Sequence, residues 1–374
     1  VISSAPHRPA SQPDDGGNDV TAAPVNVAVV GCGYWGPNLV RNFLSLSDCR
    51  VLQACDCCPE RLQHMQGLYP QVQATICFDD VVRDERVDAV AIATPVRWHF
   101  EMAKRCLEAG KHVFIEKPMA ASVAECRMLL KIAEARQRVI FVGHTFIYSP
   151  AVRRIREIIQ AGELGEIQYI SARRLNLGLF QKDINVAWDL APHDISIILY
   201  ALKKRPVAVN CQGKAHVHPQ IEDVTSMTLH FDNGGLATIQ SSWLDPNKVR
   251  DMTFVGSRKM LLYNDLEPNE KIKIYDKRVE RPPHYDTFAE FHFSYHYGDM
   301  YSPYLRQYEP LRMQCQHFLD CLRTGETPET SGYDGLQVVE ILEAATCSLR
   351  QKGAEVDLGR GAAGGDATTF QADG

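Results

Sequence analysis

The feature that most constrains this chain is Gly31-Cys32-Gly33-Tyr34-Trp35-Gly36, a G-x-G-x-x-G run placed directly after the apolar run Val25–Val30. A short valine-rich run of that kind reads as a strand buried on both faces. The residues from about Trp35 to Leu46 read as the helix that follows. In such a turn Gly31 permits the tight bend, Gly33 lets the backbone approach a diphosphate, and Gly36 lets helix and strand pack closely. The diphosphate then sits over the helix N-terminus, where free N–H groups and the dipole favour negative charge. Tyr34 and Trp35 belong to the same cofactor loop. A second strand, Val51–Cys55, ends at Asp56, 20 residues after Gly36, where an acid can take the ribose hydroxyls. NAD is the expected cofactor, because a carboxylate there repels the extra phosphate of NADP and Cys57 and Cys58 follow it rather than a base. Arg61 keeps NADP open.

The alternation continues with a helix near Glu60–Leu68 and strands at Ala74–Phe78 and Val87–Thr94. A helix over Arg97–Glu108, a strand at His112–Ile115, a helix over Ser122–Arg136 and a strand at Val139–Val142 complete it. Strand and helix in turn predict an α/β Rossmann domain, a doubly wound parallel sheet. After Gly143 the grammar changes. A helix (Ala151–Ala161), a strand (Ile167–Arg174) and a helix (Leu190–Leu202) precede strands in succession: Ala208–Val217, Val224–Phe231, Leu236–Trp243, Asp251–Val255, Met260–Tyr263 and Lys271–Tyr275. Asp232-Asn233-Gly234-Gly235 is a hairpin turn between two of them. Arg278–Gln307 reads as a long loop, and helices over Glu309–Arg323 and Gly335–Gln351 close the chain. The expected organisation is a polar tail over 1–24, a nucleotide-binding domain over 25–146, an α+β domain with a large, mostly antiparallel open sheet over 147–358, and a tail over 359–374.

Composition removes several classes of function. Forty basic and 46 acidic side chains give a net charge of −6, and no dense basic run invites nucleic acid. No run of about 18 apolar residues invites a membrane. Twelve cysteines are scattered rather than packed into a short scaffold, and Val1–Pro24 has no apolar signal core, so reduced thiols in the cytoplasm are expected. Cys55-x-x-Cys58, His216-x-His218 and His292-x-x-x-His296 open a metal reading. No second C-x-x-C and no third ligand follow by spacing, so no metal is expected.

Two further motifs carry chemistry. Glu116-Lys117-Pro118 lies at the end of the fifth strand, and ligands of open α/β sheets lie beyond such ends. Lys117 therefore points toward the nicotinamide, where a lysine can assist proton transfer. In Trp188-Asp189-Leu190-Ala191-Pro192-His193-Asp194, Asp189 and His193 are four apart and share a helix face. Histidine suits proton transfer near neutral pH. A helix cap and a packing histidine would give the same spacing.

Together the segments GCGYWGPN, AIATPVRWH, AGKHVFIEKPMA and WDLAPHDISIILY resemble the glucose–fructose oxidoreductase, inositol dehydrogenase and MocA (Gfo/Idh/MocA) family, over about Val25 to Leu358. The resemblance implies hydride transfer between NAD(P) and a secondary alcohol or ketone of a sugar, cyclitol or nucleotide sugar. It implies that His193 accepts the proton of the reacting hydroxyl, that Lys117 holds and polarises that hydroxyl, and that Asp189 binds a neighbouring hydroxyl or positions the pair. Thr94, Pro95 and His99 match a strand-end pattern beside the nicotinamide ribose, and Glu116 an acid close to the cofactor. Many relatives have an asparagine after the sixth strand. Here Gly143-His144-Thr145-Phe146 stands there, and His144 is expected to contact cofactor or substrate. Tyr148, Arg173, Asn176 and Trp188 are expected in the cleft by position. The segments VGHTFIYSPAV and NVAWDLAPHDIS favour a nucleotide-sugar substrate. A free-sugar or inositol dehydrogenase, a hydrolase that oxidises its sugar transiently on bound NAD, and a non-catalytic NAD(H) sensor stay open. A homodimer or homotetramer is expected, because an open apolar sheet face needs covering.

Overall fold

The computed structural model describes residues 23–280 and 294–359. The expected tails lie outside the described residues, apart from Ala23, Pro24 and Gly359.

Six strands form the first sheet: β1 Val25–Val30, β2 Cys49–Cys55, β3 Gln73–Thr75, β4 Ala89–Ile92, β5 His112–Glu116 and β6 Ile140–Gly143. All pairs are parallel, in the order β3-β2-β1-β4-β5-β6. The order reverses between β1 and β4, and the carboxyl ends on either side of that switch point open a crevice. Strand β1 shows why the runs are apolar throughout. Val27 and Val29 enter one core and Ala28 and Val30 the other, all at most 2% exposed. Helices α1 (Gly36–Leu44), α2 (Pro59–Leu68), α3 (Phe78–Arg83), α4 (His99–Glu108) and α5 (Val123–Arg136) alternate with these strands.

A strand expected at Ala74–Phe78 stops at Thr75, and α3 takes over at Phe78. The Thr75 hydroxyl accepts the Cys77 N–H at 3.0 Å and donates to Asp80 at 2.7 Å, turning the chain into the helix. Asp79 and Asp80 suit its first turn.

Helices α6 (Pro150–Gln160) and α7 (Val186–Leu202) precede and follow β7 (Ile167–Leu177). The rest of the second sheet is β8 Ala208–Lys214, β9 Val224–His230, β10 Leu236–Ser242, β11 Leu244–Gly256, β12 Met260–Asn264, β13 Ile272–Glu280, β14 Ser294–Tyr301 and β15 Val356–Asp357. Its order is β14-β13-β12-β11-β7-β10-β9-β8-β15. Only β7 and β10 pair in parallel; the other pairs are antiparallel. Along β7, Ile170, Ala172 and Arg174 face the helices and are buried, whereas Tyr169 and Arg173 face out.

The loop expected over Arg278–Gln307 holds over 302–307 and is corrected in two places before that. β13 runs to Glu280, and β14 occupies Ser294–Tyr301. Its cross-strand pairs, Lys277 with Tyr297 and Val279 with Tyr295, leave β14 almost wholly exposed. A ribbon wet on both faces has no apolar alternation to betray it.

Of the last two helices, α8 (Pro310–Thr324) covers the first sheet and α9 (Gly332–Arg350) joins it to the second. Phe318 of α8 is fully buried under the first sheet, 5.6 Å from Phe114, 5.4 Å from Phe141 and 6.3 Å from Phe43 between ring centroids. α9 packs on α5 and also on α7 and β8. Phe318→Ala removes the centre of that aromatic cluster and is expected to cost about 3–5 kcal/mol, read as a lower urea midpoint with an unchanged slope.

Candidate active site

Construction of the site begins at the end of β1. Gly31 has φ +94°, and a Cβ there would lie 2.6 Å from the Ala93 carbonyl oxygen. A Cβ on Gly36 would lie 1.9 Å from the Gly31 carbonyl oxygen, so any larger residue forces α1 off the strand. Gly33 faces open space, with the Arg61 guanidinium nearest at 3.8 Å. These three positions leave a backbone cradle at the N-terminus of α1, which suits a diphosphate.

Asp56 closes the cradle from β2. Its carboxylate is 4% exposed. One oxygen accepts the Cys32 N–H at 2.7 Å and the other the Cys58 N–H at 2.9 Å, with Arg61 at 3.5 Å. The acid thus braces the glycine turn from within. A carboxylate has about four lone-pair sites, so capacity remains for a ribose hydroxyl.

Trp35 reaches from the glycine turn to the end of β5, where its indole N–H donates to Glu116 Oε1 at 2.6 Å. Tyr34 stacks beside Trp35 and is 89% exposed. Gly143 leaves room for the Glu116 carboxyl, which a Cβ there would meet at 2.8 Å. Burial pushes the Glu116 carboxyl up to about 7, against the pull of Lys117 and the Trp35 hydrogen bond.

His99 is placed differently from expectation. It is 1% exposed, and its ring nitrogens meet the Thr94 carbonyl at 2.8 Å and the Pro118 carbonyl at 2.9 Å. Both partners are carbonyl acceptors and burial disfavours a second proton on the ring, so His99 donates its one N–H to one of them and packs against the other, between the end of β4 and the segment after Lys117. Pro95 caps the short 3-10 turn Val96–Trp98 that leads into α4, and the Thr94 hydroxyl faces the Met102 sulfur at 3.7 Å.

Lys117 leaves the sheet at the end of β5 and meets α7. Its ammonium donates to the Asp189 carbonyl oxygen at 2.8 Å and lies 3.7 Å from Asp189 Oδ1. The other Asp189 carboxylate oxygen accepts the Trp243 indole N–H at 3.1 Å. Helix α7 starts at Val186 rather than Leu190, and Asn185 caps it through the Trp188 N–H at 3.2 Å. Asp189 therefore sits in the first turn without capping it, and His193 stands one turn further on. Burial lowers the Lys117 pKa, opposed by Asp189 and Glu116.

Two imidazoles complete the constellation. Glu116 and Gly143 are register partners on β5 and β6, which brings His144 beside Lys117. His144 is 1% exposed, and both its ring nitrogens are buried with no partner. His193 Nδ1 is likewise buried and unpartnered. Burial, then Lys117, drives the His144 pKa down to about 3. Burial, then Lys117 and Arg174, drives that of His193 well below its ordinary value. An unpaired buried polar atom costs about 1–3 kcal/mol. Three of them around one ammonium suit a ligand rich in hydroxyl or amide groups.

Of the other cleft candidates, Asn176 lies on the inward face of β7, with its amide and the Trp243 ring both crowding Gly178. Three others are elsewhere. Tyr148 is fully buried, its hydroxyl shared with His317 at 2.9 Å and Thr330 at 3.2 Å. The Trp188 indole donates to Thr346 of α9 at 2.9 Å. Arg173 pairs with Asp251 on the outward face of the second sheet. Position in sequence could not tell inward from outward or cleft from core. The same ambiguity hid Arg174, Asp194, Phe146 and Trp243, which do surround His193 and Asp189. The signal available was that of two adjacent arginines in a strand, one must face in.

All twelve cysteines are free. Among the described residues, no group of three histidine, cysteine or acidic side chains is placed to hold a metal ion. His216 pairs with Asp223 and His296 with Asp276; His292 lies outside the described residues. Nor is any described helix long and apolar enough to cross a membrane.

Residues 25–144 match the family model described as an oxidoreductase family with an NAD-binding Rossmann fold, and residues 152–262 match the GFO/IDH/MocA C-terminal domain. The chain is 36% identical over 237 residues to UDP-N-acetylglucosamine 3-dehydrogenase of Acidithiobacillus ferrooxidans, covering 61% of this chain and 70% of that protein. It is 23% identical over 345 residues to myo-inositol 2-dehydrogenase of Thermotoga maritima, covering 88% and 97%. Among solved structures, GenD2 from gentamicin A biosynthesis in complex with NAD superposes with a TM-score of 0.75 at 20% identity, covering 90% of this chain and 97% of that one.

The raised Glu116 carboxyl has a consequence for stability. Its folded value of about 7 lies above the ordinary 4.5, so the native state holds the extra proton in that window and stability falls as pH rises through it. Glu116→Gln is expected to remove that fall, gaining stability over the parent protein at about pH 8 but not at about pH 4, as read from urea midpoints at the two pH values.

Proposed function

The chain belongs to the Gfo/Idh/MocA family of oxidoreductases, and from that premise we propose that it moves a hydride between NAD and a secondary alcohol carbon of a nucleotide-linked sugar, with His193 taking the hydroxyl proton. The observation that carries this reading is the meeting of Lys117, Asp189 and His193 beneath the carboxyl ends of β5 and β6, with unpartnered imidazole nitrogens around them. The cradle formed by Gly31, Gly33, Gly36 and Asp56 would hold the dinucleotide, and Glu116 and His144 would stand at its nicotinamide end. Bound NAD supplies the hydride acceptor.

The chain's own residues supply the proton chemistry. Lys117 donates a hydrogen bond to the reacting oxygen and raises the acidity of its hydroxyl. His193, kept neutral by burial and by the cations around it, accepts the proton as the C–H pair departs and the carbonyl forms. Asp189 holds Lys117 through its backbone carbonyl, and Trp243 holds the Asp189 carboxylate. General-base help of this kind contributes about 10²–10⁴-fold.

A nucleotide-linked substrate is supported by the likeness to UDP-N-acetylglucosamine 3-dehydrogenase. The likeness to myo-inositol 2-dehydrogenase favours a free cyclitol or sugar as the second reading. The proposal includes a division of the chain near residue 146, and self-association through the outward face of the second sheet, where Tyr169 and Arg173 are exposed.

Nicotinamide absorbance with UDP-sugars, dTDP-sugars, free sugars and inositols separates the two substrate classes, and UDP-sugars are expected to give the signal. Lys117→Ala is expected to lose at least about 100-fold in turnover while still binding NADH; normal turnover overturns the assignment. Asp56→Ala, which leaves Arg61 without its carboxylate neighbour, is expected to narrow the preference for NADH over NADPH in binding titrations. Unchanged discrimination rejects Asp56 as the selector.

A further inference from the structure

His193 is packed by Phe146, which in turn is held by a buried pair, Arg174 and Asp194, from two other elements. Arg174 of β7 turns inward, 5% exposed, and forks onto Asp194, 3% exposed, through Nε at 2.9 Å and Nη2 at 2.8 Å. Asp194 directly follows His193 on α7. Phe146, in the 3-10 turn after β6, lies between them. The Arg174 guanidinium is 4.7 Å from its ring centroid, and the His193 ring meets Phe146 edge to face at 5.0 Å and 68°. A buried ion pair of this kind is a poor way to gain stability, since apolar residues of the same volume often do as well. Its position beside an unpartnered imidazole calls for another reason.

The charges facing His193 supply one. Lys117 from the end of β5, His144 after β6, Arg174 from β7 and Arg250 from β11 all disfavour a proton on its ring. The carboxylates of its own helix are engaged elsewhere: Asp189 with Lys117 and Trp243, and Asp194 with Arg174. Arg250 in turn faces Asp265, which also receives Lys271 and the Tyr263 hydroxyl.

We propose that the Arg174–Asp194 pair, pressing on Phe146, is a positioning device that fixes the His193 ring toward the reacting hydroxyl and keeps it an empty proton acceptor. The inference rests on the reading of His193 as the base. In this arrangement the guanidinium does two jobs. It rests over the aromatic ring that sets the imidazole's orientation, and its charge, together with that of Lys117, opposes protonation of that imidazole.

The test uses the double variant Arg174→Met/Asp194→Asn, which removes the pair without leaving one charge buried alone. The His193 ring signals, assigned with His193→Gln, are titrated by NMR, and the acid limb of kcat/KM is measured with the substrate found above. Both midpoints are expected to move to higher pH while NADH affinity stays put. A fall in rate with both midpoints unmoved makes the pair merely structural and overturns the proposal. Arg174→Lys, which keeps the charge, is expected to hold the limb in place. Phe146→Leu keeps every charge and is expected to lower kcat by about 100-fold through misorientation with the limb unshifted. It carries the test if the double variant does not fold, and unchanged kcat in it overturns the clamp. Full turnover in His193→Gln would sink the base reading itself, whereas the NMR midpoint judges the Arg174 inference without any substrate.

Discussion

A lysine from the end of one sheet donates to the backbone of a helix packed on the other, and the site depends on that contact. Lys117 brings its ammonium off β5 to the Asp189 carbonyl of α7, so the nucleotide cradle and the second sheet share one edge of the crevice. The surrounding features hold the two ends of this contact in place. His99 is buried between the segment after Lys117 and the end of β4. Trp243 holds the Asp189 carboxylate, and Asn185 caps the helix that carries it. Arg97 on the first sheet's side also reaches Asp183, in the loop before α7, at 3.1 Å.

The electrostatics of the crevice follow from burial more than from pairing. Lys117, His144 and His193 crowd together with no free carboxylate among them, so the imidazoles stay neutral and the ammonium carries the local charge. Neutral imidazoles can both donate and accept, as sugar hydroxyls also can. This chemistry belongs to these side chains, whereas the likeness to solved structures at about 20% identity extends to the fold alone.

Much of the first sheet was legible because its signals are local. A strand buried on both faces is apolar throughout, and the turn after it needs Gly31 and Gly36 for contacts of 2.6 Å and 1.9 Å that any Cβ would make. Lys117, Asp189 and His193 could be singled out because each sits at a strand end or at helical spacing. Other positions needed the third dimension. Arg173 and Arg174 are adjacent in sequence, and the pleat alone sends one to Asp251 outside and the other to Asp194 inside. Tyr148 lies five residues after Gly143 but drops into the aromatic core below the sheet. β14 escaped notice because neither of its faces is buried.

The placement of α8 sets an order on the making of the molecule. Phe114 and Phe141 line the underside of the first sheet, yet the residue that covers them, Phe318, is encoded 177 positions after Phe141. At synthesis rates of about 5–20 residues per second, that gap lasts roughly 10–35 s. For that interval the nascent nucleotide-binding sheet leaves uncovered the part of its aromatic face that lies between Phe43 and Tyr148. The same face would be bare in any fragment cut before residue 310. Excising the cofactor domain at its apparent border would yield a sticky half-layer rather than a free-standing module, and grafting that domain elsewhere would require α8 to travel with it.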